Sequence, residues 1–220
     1  MMNKLTGLVE NETVILLHGL AKTDYCMRKI AASLEKAGYQ VINCRYASFK
    51  LPIEMIADNT IHEALALVKK HNTIHFVTHS MGGILVRLYL QNKKVSHLGR
   101  VVMLGPPNKG SRLIDILQKV LTHPDIKSTS GMQLSTTANS LPNRLGKATF
   151  ELGIIAGKRT VNPILSLLLE GENDGKVSVE STKLEGMKAH LVMPVTHPFM
   201  MRNNRVIAQV QYFLANGLFA

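Results

Sequence analysis

Apolar positions along the chain fall into two alternating patterns, short unbroken runs and stretches spaced three and four residues apart. Thr13–Leu17 is a continuous β-branched and aliphatic run, the pattern of a strand buried on both faces. After Asp24, Met27, Ile30, Ala31, Leu34 and Ala37 recur at helical spacing and stop at Gly38, a residue favoured just past a helix end. Tyr39–Cys44 predicts a second strand. Pro52 then opens a helix whose apolar face is Ile53, Ile56, Ala57, Thr60, Ile61, Ala64, Leu65 and Val68. Thr73–Thr78 predicts a third strand that runs into Ser80-Met81-Gly82-Gly83 and a helical run, Ile84–Gln91. Arg100–Leu104 predicts a fourth, ending at Gly105-Pro106-Pro107. Strand-like runs return at Leu152–Ala156, Ile164–Leu169 and His190–Val195. A closing helix covers Asn204–Ala215, with Val206, Ile207, Val210, Phe213 and Leu214 on one face.

Strands alternating with helices imply βαβ units, hence an α/β fold with a mostly parallel central sheet and helices on both faces. One region breaks the rhythm. Arg112–Leu121 predicts a helix, and Ser128–Asn143, rich in Ser, Thr, Asn and Gly, predicts a loop. With no repeat and no low-complexity stretch, the expectation is one domain over residues 1–220. Residues 112–149 are then a lid or cap inserted over one edge of the sheet.

Composition narrows the function classes. At 220 residues, 45% hydrophobic and 19% charged, the chain has globular composition and excludes a mostly disordered protein. No apolar stretch approaches the ~20 residues of a membrane span. The opening MMNKLTGLVENE lacks the apolar core of a secretory signal, which gives the expectation of a cytoplasmic protein. Cys26 and Cys44 form no CxxC pair and are expected as reduced thiols. The formal charge of +11 is spread over doublets such as Lys69-Lys70, Lys93-Lys94 and Lys158-Arg159. Aromatics at 5% and the lack of Trp supply few base-stacking platforms, so nucleic acid is not the expected partner. Acidic substrates or weak contact with an anionic membrane surface fit the charge better.

The sharpest chemical signal is Phe76-Val77-Thr78-His79-Ser80-Met81-Gly82-Gly83, a buried strand meeting a serine just before a helix. A nucleophile on so tight a turn needs small neighbours two residues to either side. Gly82 meets that need, whereas Thr78 stands where a glycine is usual. The helix start also directs N–H groups and its positive dipole end at the serine. Serine needs a base, and the base an orienting acid. Among nine histidines, His197 directly follows a predicted strand, in Val195-Thr196-His197-Pro198. His62, His71, His75, His97 and His123 carry no supporting pattern, and His79 is expected to face away on the strand end as a structural residue. Asp174, in Gly171-Glu172-Asn173-Asp174-Gly175 after the run Ile164–Leu169, is the candidate acid, with Glu170 and Glu172 as neighbouring alternatives. The chain order Ser80, Asp174, His197 is that of the α/β-hydrolase triad. Two backbone donors complete the set: the N–H of Met81, after the serine, and that of Leu20 in Leu17-His18-Gly19-Leu20.

Taken together, VILLHGL (14–20), FVTHSMGG (76–83), LGPPNKGS (104–111), EGENDGKVSVES (170–181) and VTHPFMM (195–201) resemble a small lipase or esterase of the α/β-hydrolase superfamily. The resemblance implies a Ser80–His197–Asp174 triad and an oxyanion hole from Leu20 and Met81. It further implies a cap over the acyl pocket, a minimal sheet lacking the first strands of the full fold, and tolerance of Thr78. The implied activity is hydrolysis of small-molecule or lipid acyl esters, with no cofactor and no metal. The same triad also serves thioesterases and acyltransferases, and a non-catalytic binding protein on this scaffold is a further alternative.

Overall fold

The computed structural model describes residues 11–120, 130–162, 166–169 and 171–220. Six strands form one sheet: β1 (Glu12–Leu17), β2 (Gln40–Asn43), β3 (Thr73–His79), β4 (Leu98–Leu104), β5 (Leu152–Gly157) and β6 (Ala189–Met193). Their spatial order is β2-β1-β3-β4-β5-β6, and every neighbouring pair is parallel. The unbroken apolar runs follow from this arrangement, because a parallel strand covered on both faces has no solvent side to mark with polar residues.

Successive side chains alternate between the two faces, and two separate cores result. On one face Ile15, Leu17, Phe76, Val101, Met103 and Ile154 pack against helices α2 (Ile53–Ala66) and α3 (Met81–Asn92). On the other, Val14, Leu16, Val77, Val102, Leu104 and Ile155 meet α1 (Arg28–Lys36) and α5 (Asn204–Asn216). The chain leaves β1 for β2 on one side and crosses back to β3 on the other. The loops after β1 and β3 therefore diverge at adjacent strand ends, the place where open α/β sheets bind ligands.

Between β4 and β5 the chain forms helix α4 (Arg112–Val120), a 3-10 turn at Ser130–Leu134 and a helical turn at Leu141–Arg144. The stretch expected as loop, Ser128–Asn143, is thus partly helical; its first two residues lie outside the described ones. Buried Arg87 of α3 explains how this poorly periodic segment holds its shape. Its guanidinium donates to the Asn108 carbonyl and side chain and to the carbonyls of Pro142, Leu145 and Gly146. No strand forms in the described part of Ile164–Leu169: Ser166 and Leu167 are helical, Leu167 is 85% exposed, and β5 pairs directly with β6. A short apolar run fits a helix as well as a strand, and this one was too short for its length to decide.

Candidate active site

Ser80 sits between the end of β3 and the first residue of α3, with φ 54° and ψ −123°. A non-glycine residue in this region costs about 1–3 kcal/mol and persists only where its surroundings impose it. The imposing contacts are specific. Ser80 N–H donates to the Leu104 carbonyl at 2.8 Å, pinning the turn to the neighbouring strand end. A Cβ at Gly82 would lie 2.5 Å from the Leu17 carbonyl oxygen, so only glycine lets α3 leave so close to β1. Thr78, two residues before Ser80, is fully buried without preventing the turn. Its hydroxyl has no hydrogen-bond partner. The steric demand of the turn therefore falls on Gly82 rather than on position 78.

Asp174 and His197 meet behind this serine. His197 Nδ1 lies 2.7 Å from Asp174 Oδ2, and the His197 N–H donates to the Asp174 carbonyl at 2.9 Å. The other carboxylate oxygen accepts from the N–H groups of Lys176 (3.0 Å) and Val177 (2.8 Å). Asp174 is fully buried. Two other strand ends make room for it, Gly157 at the end of β5, where an added Cβ would stand 2.8 Å from that of Asp174, and Gly105 just after β4. A Cβ at Gly105, where φ is +54°, would stand 3.0 Å from Asp174 Oδ2 and 3.1 Å from His197 Nδ1. Glu172, by contrast, is exposed and pairs with Lys158. With Nδ1–H donated to the carboxylate, the Nε2 lone pair of His197 is free to take a proton.

His79 does not face away. It is buried, its ring centre lies 4.7 Å from that of His197, and its Nε2 is 3.0 Å from the His197 carbonyl. A carbonyl only accepts, so Nε2 carries the proton. Burial first, then the nearby His197 ring and the charges of Lys176 and Lys22, hold its pKa well below the usual imidazole value. Neutral His79 thus supports the backbone of His197 from below.

Met81 opens α3, so its N–H lies ahead of the first intrahelical bond and is open to an acceptor. Leu20 approaches on the loop after β1, in register with β3 because Leu17 pairs with Thr78. Sequence reasoning missed what holds that loop. Tyr46 stacks on the His18 imidazole at 3.9 Å, and its hydroxyl donates to the His18 carbonyl. Nothing in the sequence around Tyr46 marks it, since the contact spans elements far apart in the chain. Ser80, His197, His79, Leu20, Ile114, Leu117 and Leu134, among others, line one cavity of about 140 Å³. The last three come from the irregular segment between β4 and β5.

Comparison with known proteins places this arrangement. A family model described as the alpha/beta hydrolase fold matches residues 12–125, more than half of the chain. The chain belongs to the α/β hydrolases. Solved structures resemble this hydrolase over most of its length. The mature lipase of Bacillus licheniformis aligns with a TM-score of 0.65 at 19% identity, covering 94% of this chain and 92% of that one. Lipase 1 of Pelosinus fermentans aligns with a TM-score of 0.67 at 11% identity, covering 95% and 98%. A metagenomic carboxyl esterase aligns with a TM-score of 0.62 at 21% identity, covering 86% of this chain and 65% of its own. At these identities the likeness is one of fold. A search of curated proteins finds no match. Among the described residues, no helix of the hydrolase is long and apolar enough to cross a membrane, and no cluster of His, Cys, Asp and Glu could hold a metal ion.

Proposed function

We propose that this α/β hydrolase is a serine carboxylesterase of the lipase type acting on compact carboxylic esters. The observation that carries the reading is the buried Asp174–His197 pair, 2.7 Å between Oδ2 and Nδ1, set behind a cavity that Ser80 also lines. His197 Nε2 takes the Ser80 proton as Oγ attacks the ester carbonyl, and Asp174 stabilises the imidazolium that forms. The N–H groups of Met81 and Leu20 receive the developing oxyanion; losing one such donor costs about 3–4 kcal/mol in this class of chemistry. His197 then protonates the departing alcohol. Water, activated by the same imidazole, releases the acid. Residues 112–149 act as the cap: Ile114, Leu117 and Leu134 supply one apolar wall. At about 140 Å³ the cavity is well below the ~300–1,000 Å³ of sites for drug-sized ligands, which favours short acyl groups.

A fluorophosphonate probe tests the nucleophile. The wild-type protein is expected to be labelled at Ser80 and to hydrolyse p-nitrophenyl esters, fastest at short chain length. Ser80→Ala is expected to lose both properties while its circular dichroism stays unchanged. Labelling retained at another serine in that variant would falsify the assignment.

A further inference from the structure

Apart from Ser80 and His197, the polar side chains lining the proposed ester site are His79, Ser111 and two lysines; the rest of the lining is apolar. Lys22 lies two residues beyond Leu20 on the loop after β1, and Lys176 lies two residues beyond Asp174; both border the cavity with Ser80 and His197. Among the described residues no carboxylate borders it. Five surface lysines, at 93, 109, 158, 183 and 188, form ion pairs. Among the described residues Lys22 and Lys176, like several other lysines, form none. Asp174, whose charge reaches Lys176, is fully buried and already holds His197 and two backbone N–H groups.

Like charges brought to the border of one cavity repel. Crowding around its ammonium and the charge of Lys22 lower the pKa of Lys176, and both lysines lower that of His79, so their fields converge beside Ser80. A neutral ester leaves this repulsion in place. An ester carrying its own negative charge removes it and gains one or two charge-assisted hydrogen bonds.

We infer that the site is selective for monoanionic esters, whose carboxylate or phosphate is held by Lys22 and Lys176 beside the scissile bond. This rests on the esterase reading above and adds the substrate class to it. Two matched pairs of esters locate the charge. Monomethyl succinate against dimethyl succinate puts it in the acyl part. 4-Acetoxybenzoate against its methyl ester puts it in the leaving group. In at least one pair the anionic member is expected to show a kcat/KM at least tenfold higher, an advantage that added salt reduces. Lys22→Gln and Lys176→Gln should each cut the anionic-to-neutral ratio about tenfold, and Lys22→Arg should restore it.

Neutral esters preferred in both pairs, or an anionic preference that neither lysine variant alters, overturns the inference. If no ester is turned over and Ser80 stays unlabelled, the esterase reading fails by itself. Calorimetric titration with monomethyl succinate then decides the lysine site separately. Binding weakened in both Gln variants supports it, and no binding to the wild-type protein overturns it.

Discussion

Thr78 shows how single positions in this site divide their work. The usual small residue two positions before the serine is absent, yet the backbone at Ser80 reaches φ 54° because Gly82, not residue 78, meets the Leu17 and His18 carbonyls. The Thr78 hydroxyl is buried without a partner, a state that costs about 1–3 kcal/mol. Thr78→Val keeps the shape and removes the orphan group; it should raise stability by about 1 kcal/mol in urea titration with little effect on turnover. Gly82→Ala should do the opposite and disrupt the turn, visible as lost fluorophosphonate labelling. Asp174→Asn should cut kcat by roughly 10⁴ by presenting the wrong imidazole tautomer. Near-normal turnover in that variant would move the acid role to another carboxylate. Ser80 and His197 were legible in the sequence because each abuts a strand whose apolar run is plain. Asp174 was legible as a candidate acid from its place after Ile164–Leu169, but the neighbours that make room for its burial were not. What encloses it comes from glycines at the ends of β4 and β5, far away in the chain.

At the scale of elements, strands and long helices were read correctly wherever burial on a face imposed a period. Short pieces held by tertiary bonds were not. The turns at Ser130–Leu134 and Leu141–Arg144 owe their form to side chains elsewhere. Ser130 Oγ donates to the Ser48 carbonyl at 2.6 Å, and buried Asp115 of α4 accepts from the Thr136 N–H at 2.8 Å. Arg87 closes the far end. Burial lowers its pKa to about 10, and its bonded partners are carbonyls and an amide side chain rather than a carboxylate. Arg87→Met should therefore strand these acceptors and destabilise the protein by about 3 kcal/mol. The loss should show first as faster proteolysis within residues 130–149. Leu117→Ala, which trims the wall that α4 gives the cavity, should shift the p-nitrophenyl ester optimum towards longer chains. An unchanged profile in a folded variant would remove the segment's role as a cap.

Over the whole molecule, buried neutral imidazoles set the response to acid. Desolvation is the largest cause lowering the pKa of His18, His79 and His190. Such groups bind more protons unfolded than folded, so stability rises with pH across their titration. The contribution is complete above the unfolded value of ~6.5 and is lost as pH falls below it, by up to about 1.4 kcal/mol per pH unit for each group. Melting temperature should thus be level from pH 7 to 8 and drop from pH 6.5 to 5. A His79→Asn variant, less stable at neutral pH, should show a shallower drop. A melting temperature that does not fall on acidification would contradict the neutral state of these rings.

The separation of the reacting groups along the chain also has a bearing on biosynthesis. Ser80 and the Met81 and Leu20 amides lie just beyond the paired strands β3 and β1 or at the start of α3, all within the first 81 residues. The Asp174–His197 pair forms only once β5 and β6 have added to the growing sheet edge. On the esterase reading the serine is made 117 residues before the histidine that would activate it. On that reading, hydrolytic power arrives with the closing strands, when the fold that contains it is already nearly whole.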